Sequence, residues 1–127
     1  MVETTGTFRR SIATVLAVLF IAVPLTAHHG WTSYGTEEFS ITGTVDTPVS
    51  LSGPHATMKI KADGHVWNLV LSAGNRVEAA GLREGMIPVG AQVTAEGHRH
   101  RDAKVFEVKT ERLKWNGRTF NVYPDRT

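Results

Sequence analysis

Cysteine is absent from this 127-residue chain, which excludes a disulfide framework, a thiolate metal site and a lipid-bearing cysteine together. Catalytic signatures are also missing: there is no Gly-x-Ser-x-Gly elbow, no His-Glu-x-x-His helix and no phosphate loop. A binding protein is therefore expected, not an enzyme. No charge of one sign is concentrated anywhere; 14 basic and 12 acidic side chains are interspersed, so nothing asks for nucleic acid. Long apolar runs are lacking too. The longest, Ile12 to Val23, ends at Pro24, short of the roughly 20 residues that cross a bilayer.

That short run has the parts of an export signal: Arg9 and Arg10 before it and the small residue Ala27 after it. Ser11-Ile12-Ala13 after the arginine pair, and Glu3 upstream, fit a twin-arginine signal poorly. Residues 1–27 are thus expected to be a cleavable signal peptide, the protein periplasmic or secreted, with no stable membrane anchor after cleavage. Export without cysteine points to a bacterial envelope. Cleavage after Ala27 leaves one hundred residues, enough for one domain that folds without staples. It also makes His28 the first residue, carrying both an imidazole and a free amine.

The mature part reads as an N-terminal arm, 28–38, followed by a β-rich domain, 39–127. Phe39 to Thr47 alternates as a half-buried strand, and Pro48 to Pro54 reads as a loop. In the next strand Ala56, Met58 and Ile60 share one face, with His55, Thr57, Lys59 and Lys61 on the other. Asp63-Gly64 is a type I′ hairpin signal leading into Val66 to Leu71, where Trp67, Leu69 and Leu71 share a face. Ser72 is the expected cap of a short helix carrying Val77, Ala80 and Leu82, ended by Gly85 and Pro88. Gly90 to Gly97 is a fourth strand. Lys104 to Trp115 is a fifth whose apolar phase shifts near Arg112, which predicts a bulge. Asn116-Gly117 turns the chain into Arg118 to Tyr123. Three strands, a helix and further strands are the order of an OB-like barrel, so the expected fold is mainly β: a small five- to six-stranded OB-like barrel with one short helix. A generic α+β roll is the alternative.

Ala27-His28-His29-Gly30-Trp31, Thr42-Gly43-Thr44-Val45, Gly53-Pro54-His55-Ala56 and Val93-Thr94-Ala95-Glu96-Gly97 together resemble a family of small exported bacterial proteins known as domain of unknown function 6152. The turn here is Gly-Pro-His where the family pattern has Asn-Pro-His. The resemblance covers nearly the whole chain and implies an envelope location and a compact β-rich domain, with no activity attached.

Six histidines, at 28, 29, 55, 65, 98 and 100, all fall in the mature part. A free amine and the Nδ1 of His28 can chelate one ion, and His29 adds a nitrogen; such nitrogen-rich sites favour Cu(II), with zinc or nickel as competitors. His98 and His100 are two apart, about 7 Å if extended on one face. His55 follows the first long loop, which in an OB-like barrel shares a rim with the loop after strand four. The arm spans at most about 35 Å extended, a length that does not exclude its reaching that rim. The expected metal set is therefore His28, His29, His55, His98 and His100, with a copper ion as cofactor. His65 follows a turn glycine and is expected to be an ordinary surface residue.

Glu37, Glu38, Glu96, Asp102 and Glu107 sit among basic residues and read as surface pairs. Trp67 and Trp115 alternate with apolar neighbours and read as core, whereas Trp31 and Tyr34 are expected to pack the arm on the barrel. The alternative function is a non-metal interaction module that recognises an envelope protein, a peptide or a glycan by aromatic stacking.

Overall fold

A computed structural model describes residues 30–126. The expected signal segment, 1–27, and the His28-His29 pair lie outside the described residues. The remainder forms six strands and one short helix in the order β1 (Phe39–Ser50), β2 (Thr57–Ala62), β3 (His65–Val70), α1 (Gly74–Ala79), β4 (Gln92–Arg99), β5 (Glu107–Trp115) and β6 (Arg118–Asn121), with a 3-10 turn at Pro124–Arg126. Hydrogen bonding runs β3-β2-β1-β4-β5-β6, and a parallel pairing of β3 with β5 closes the first five strands into a barrel. The fold is the OB-like barrel expected, with β6 added at its side.

Period-two burial explains the closure. Met58, Ile60 and Ala62 of β2, Trp67 and Leu69 of β3, Val93 and Ala95 of β4, and Val108 and Leu113 of β5 all turn inward and are buried. Trp67 completes its polar needs by donating its indole N–H to the Ala62 carbonyl at 3.1 Å. The β2–β3 hairpin turns at Asp63 and Gly64, both with positive φ, as a type I′ turn demands; Asn116 and Gly117 do the same between β5 and β6. Trp115 is only partly buried and packs against the core from its edge.

Three local expectations are corrected. β1 does not stop at Thr47 but runs through Pro48 to Ser50, because its pairing with β2 is irregular between Val45 and Ser50 and tolerates a residue without an N–H there. Ser72 does not cap α1: it is buried, and Ala73 occupies the N-cap without a side-chain bond. Gly81, not Gly85, ends the helix. With φ +93° it sets up a Schellman closure in which the Leu82 N–H reaches the Val77 carbonyl at 3.1 Å and the Gly81 N–H reaches that of Glu78 at 2.9 Å. Leu82 and Val77, both fully buried, then seat the helix on the barrel.

Candidate metal centre

The site begins with an irregularity between β4 and β5. Glu96 faces Arg112 and Gly97 faces Thr110, so Glu111 is an extra residue of β5. This is the bulge that the phase shift near Arg112 predicts. Its carbonyl accepts from the Val122 N–H at 2.9 Å, while its carboxylate turns toward His98 of β4. Gly97 permits the close approach: a Cβ there would lie 2.0 Å from the Lys109 carbonyl oxygen.

Opposite Glu111 stands His98. Its Nδ1 is 2.9 Å from the Glu37 carbonyl oxygen, which can only accept, so Nδ1 carries a hydrogen. The other ring nitrogen, Nε2, is 2.8 Å from Oε1 of Glu111 and 3.8 Å from Oε2 of Glu38. Two acceptors cannot face each other at 2.8 Å, so a proton or another cation must join Nε2 to the carboxylate. One ligand atom each from Glu38, His98 and Glu111 lies within 4.8 Å of the others. His98 is thus pre-oriented as metal-ligating histidines are, with one nitrogen held by a backbone carbonyl and the other directed at acidic oxygens.

Cations surround the group. Arg112 meets Glu96 at 2.9 Å, Glu111 at 3.3 Å and, more closely, Glu38. Hydrogen bonds from Lys114 and then Arg112 hold the Glu96 carboxyl below its usual range, and Glu96 in turn raises Arg112. Nε of Arg126, from the 3-10 turn, is 3.5 Å from Oε1 of Glu111. Glu111 itself is only 1% exposed.

The arm enters the fold beside this cluster. Trp31 packs edge-on to the His98 ring at 6.0 Å and to Tyr123 at 5.1 Å, and the Arg126 guanidinium lies 3.7 Å over its ring. Lys109, the ladder partner of His98, places its ammonium 5.4 Å from the Trp31 ring, and burial lowers its pKa. Gly30 sits so close to that ammonium that a Cβ on it would be 3.1 Å from Nζ. From Gly30 the arm follows β4: the Gly35 N–H bonds to the Arg99 carbonyl at 2.9 Å and Tyr34 bridges to His100.

The expected ligands are thus differently placed. His98 lies in the cluster. His55 feels Lys109, whose charge adds to burial in lowering its pKa, but it has no part in the His98 group. His100 turns to another neighbourhood, edge-on to Tyr34 at 5.6 Å, with its Nδ1 accepting the Asp102 N–H at 3.1 Å. His28 and His29 are outside the described residues, directly before Gly30. His65 stacks on Phe106 at 3.9 Å. Glu111 and Glu38 are both absent from the expected metal set, Glu38 being expected only as a surface charge. The predicted bulge was the signal that could have found Glu111, since a bulge re-aims one side chain out of the alternation.

Among the described residues, no helix is long and apolar enough to cross a membrane. Residues 16–109 match the model of the Family of unknown function (DUF6152). None of the curated proteins matches the chain. Among solved structures, a chain from the crystal structure of a complex of TiaS with an isoleucine tRNA, AMPCPP and agmatine is similar over 62% of this chain, with 16% identity and a TM-score of 0.40. The match covers 18% of that chain, so this protein spans less than a fifth of its length.

Proposed function

The chain belongs to the Family of unknown function (DUF6152), a premise that carries no activity, and from the site itself we propose that it is an exported envelope protein that binds a transition metal at the barrel rim around His98. One observation carries this reading: His98 is held by the Glu37 carbonyl so that its Nε2 faces the buried Glu111 and the nearby Glu38, with Trp31 of the arm packed on its ring. An imidazole and carboxylates alone suit several divalent ions; the amine and imidazole of a processed His28, with His29, tilt the set toward copper ahead of zinc and nickel. In this reading His55 is a further nitrogen donor on the Lys109 side, and His100 is the weakest member. The role is metal handling, with the barrel fixing the donors.

The test is a Cu(II) titration followed by electron paramagnetic resonance, on protein that begins at His28 and on the same protein with one alanine in front. A tetragonal, nitrogen-rich spectrum and tight binding that needs the free His28 amine support the proposal. Weak and equal binding by both forms overturns it.

A further inference from the structure

The carboxylate that a metal would use already carries a cation. Oε1 of Glu111 is the atom that faces both Nε2 of His98 at 2.8 Å and Nε of Arg126 at 3.5 Å. An ion bound to Oε1 and Nε2 sits about 2 Å from each, so it would bring two positive charges against the Arg126 guanidinium across one oxygen.

The two arginines of the cluster are not equally held. Arg112 belongs to a β-strand and meets three carboxylates, those of Glu38, Glu96 and Glu111. Arg126 belongs to a three-residue turn, its side chain is 46% exposed, and Glu111 is the one carboxylate it meets among the described residues. Its second contact is the face of Trp31. Releasing Arg126 into water therefore costs one ion pair and one stacking contact, whereas releasing Arg112 would strip three partners.

We propose that Glu111 is the anionic ligand of the bound metal and that the Arg126 guanidinium is the counter-cation it releases on loading, swinging away from Glu111 and uncovering Trp31. The exchange balances in charge terms: the proton between Nε2 and Oε1 goes to solvent, the guanidinium leaves the carboxylate, and a divalent ion takes both places. The guanidinium is thereby a latch that a metal must displace to reach Glu111. The same competition sets a threshold, because weakly held ions do not displace the arginine. This inference rests on the metal-binding reading, and it goes further by naming a ligand and a regulating residue.

The experiment is Cu(II) binding by chelator competition to the wild type, Arg126→Gln and Glu111→Gln, with the Trp31 indole N–H followed by NMR during loading with diamagnetic Zn(II) and assigned through Trp31→Phe. Removing a competing cation should tighten binding about fivefold or more in Arg126→Gln, the scale of coupling between linked binding events. Glu111→Gln should weaken it about tenfold or more. The Trp31 signal should move on loading the wild type and should already lie near its loaded position in metal-free Arg126→Gln. Should Glu111→Gln fail to fold, Arg126→Gln and the indole signal decide alone. Wild-type binding with an unchanged or weakened Arg126→Gln overturns the latch and leaves the metal reading standing. No binding by the wild type or by Arg126→Gln overturns both.

Discussion

Replacing Gly97, a buried position of β4, by alanine should damage the protein far beyond what one added methyl group suggests. A Cβ at Gly97 would meet the Lys109 carbonyl oxygen at 2.0 Å and its carbon at 3.0 Å, and the Glu111 nitrogen at 3.1 Å. All three are backbone atoms, so no side chain can swing aside. The clash is relieved only when β4 and β5 separate by more than about 1 Å, which stretches the adjacent ladder bonds beyond useful length. Losing about two such bonds at about 1 kcal/mol each, with overpacking strain of about 1–3 kcal/mol, gives a destabilisation of about 3–5 kcal/mol. For a domain of this size that is a large part of a total of about 5–15 kcal/mol and should lower Tm by about 15–30 °C. Calorimetric melting measures it directly. Gly64→Ala is the comparison: it has no atom within 4 Å of the new Cβ and only the strain of φ +76°, so about 1 kcal/mol and a fall of about 4–8 °C are expected. A Gly97→Ala protein melting within about 5 °C of the wild type, no further than the glycine comparison falls, would refute the reasoning.

Burial, and then the hydrogen bond to Glu107, raise the pKa of Tyr34 well above its usual 10.0. A raised folded pKa contributes stability that is intact below about pH 10 and lost as pH climbs above it, so Tyr34→Phe should flatten the fall of Tm in alkali. An unchanged slope between the two proteins speaks against the assignment. Glu96 shifts the opposite way, held below 4.5 by Lys114 and Arg112. Its contribution is present above that value and disappears as pH falls through the lower folded pKa, so acid melts of Glu96→Gln should lie closer to their neutral melts than those of the wild type. Leu113→Ala, at a fully buried β5 position just past the bulge, should cost about 2–5 kcal/mol in urea unfolding; a loss below about 1 kcal/mol would place that side chain outside the core.

Much of the barrel was legible because burial in a two-faced strand repeats every second residue. Met58 and Ile60, or Trp67 and Leu69, declare their face without help, and Asp63-Gly64 and Asn116-Gly117 can turn only one way. What local pattern does not carry is the competition between local and tertiary demands. Ser72 has the chemistry of a cap, yet its position at the end of the Trp67, Leu69, Leu71 face buries it, and the helix starts from Ala73 instead. Pro48 reads as a strand breaker, but the irregular β1–β2 register absorbs it. The site was half visible. His98 stands out as a histidine in a short cluster, whereas Glu111 is a charge in a charged stretch, and only its place as the odd residue of a bulge turns it against His98. Which of His98 and His100 meets the arm's Trp31 also depends on tertiary placement, since both lie at the same end of β4 in sequence.

The central claim is that a transition metal sits on His98, and six histidines give six reporters of it. The direct measurement is the NMR spectrum of the imidazole signals during substoichiometric addition of Cu(II) to protein beginning at His28, since a paramagnetic ion erases the rings nearest to it first. The account predicts that His98, His28 and His29 fade first, His55 after them, and that His65 on Phe106 survives. Loss of His65 or His100 before His98, or the even fading of all six, would contradict it.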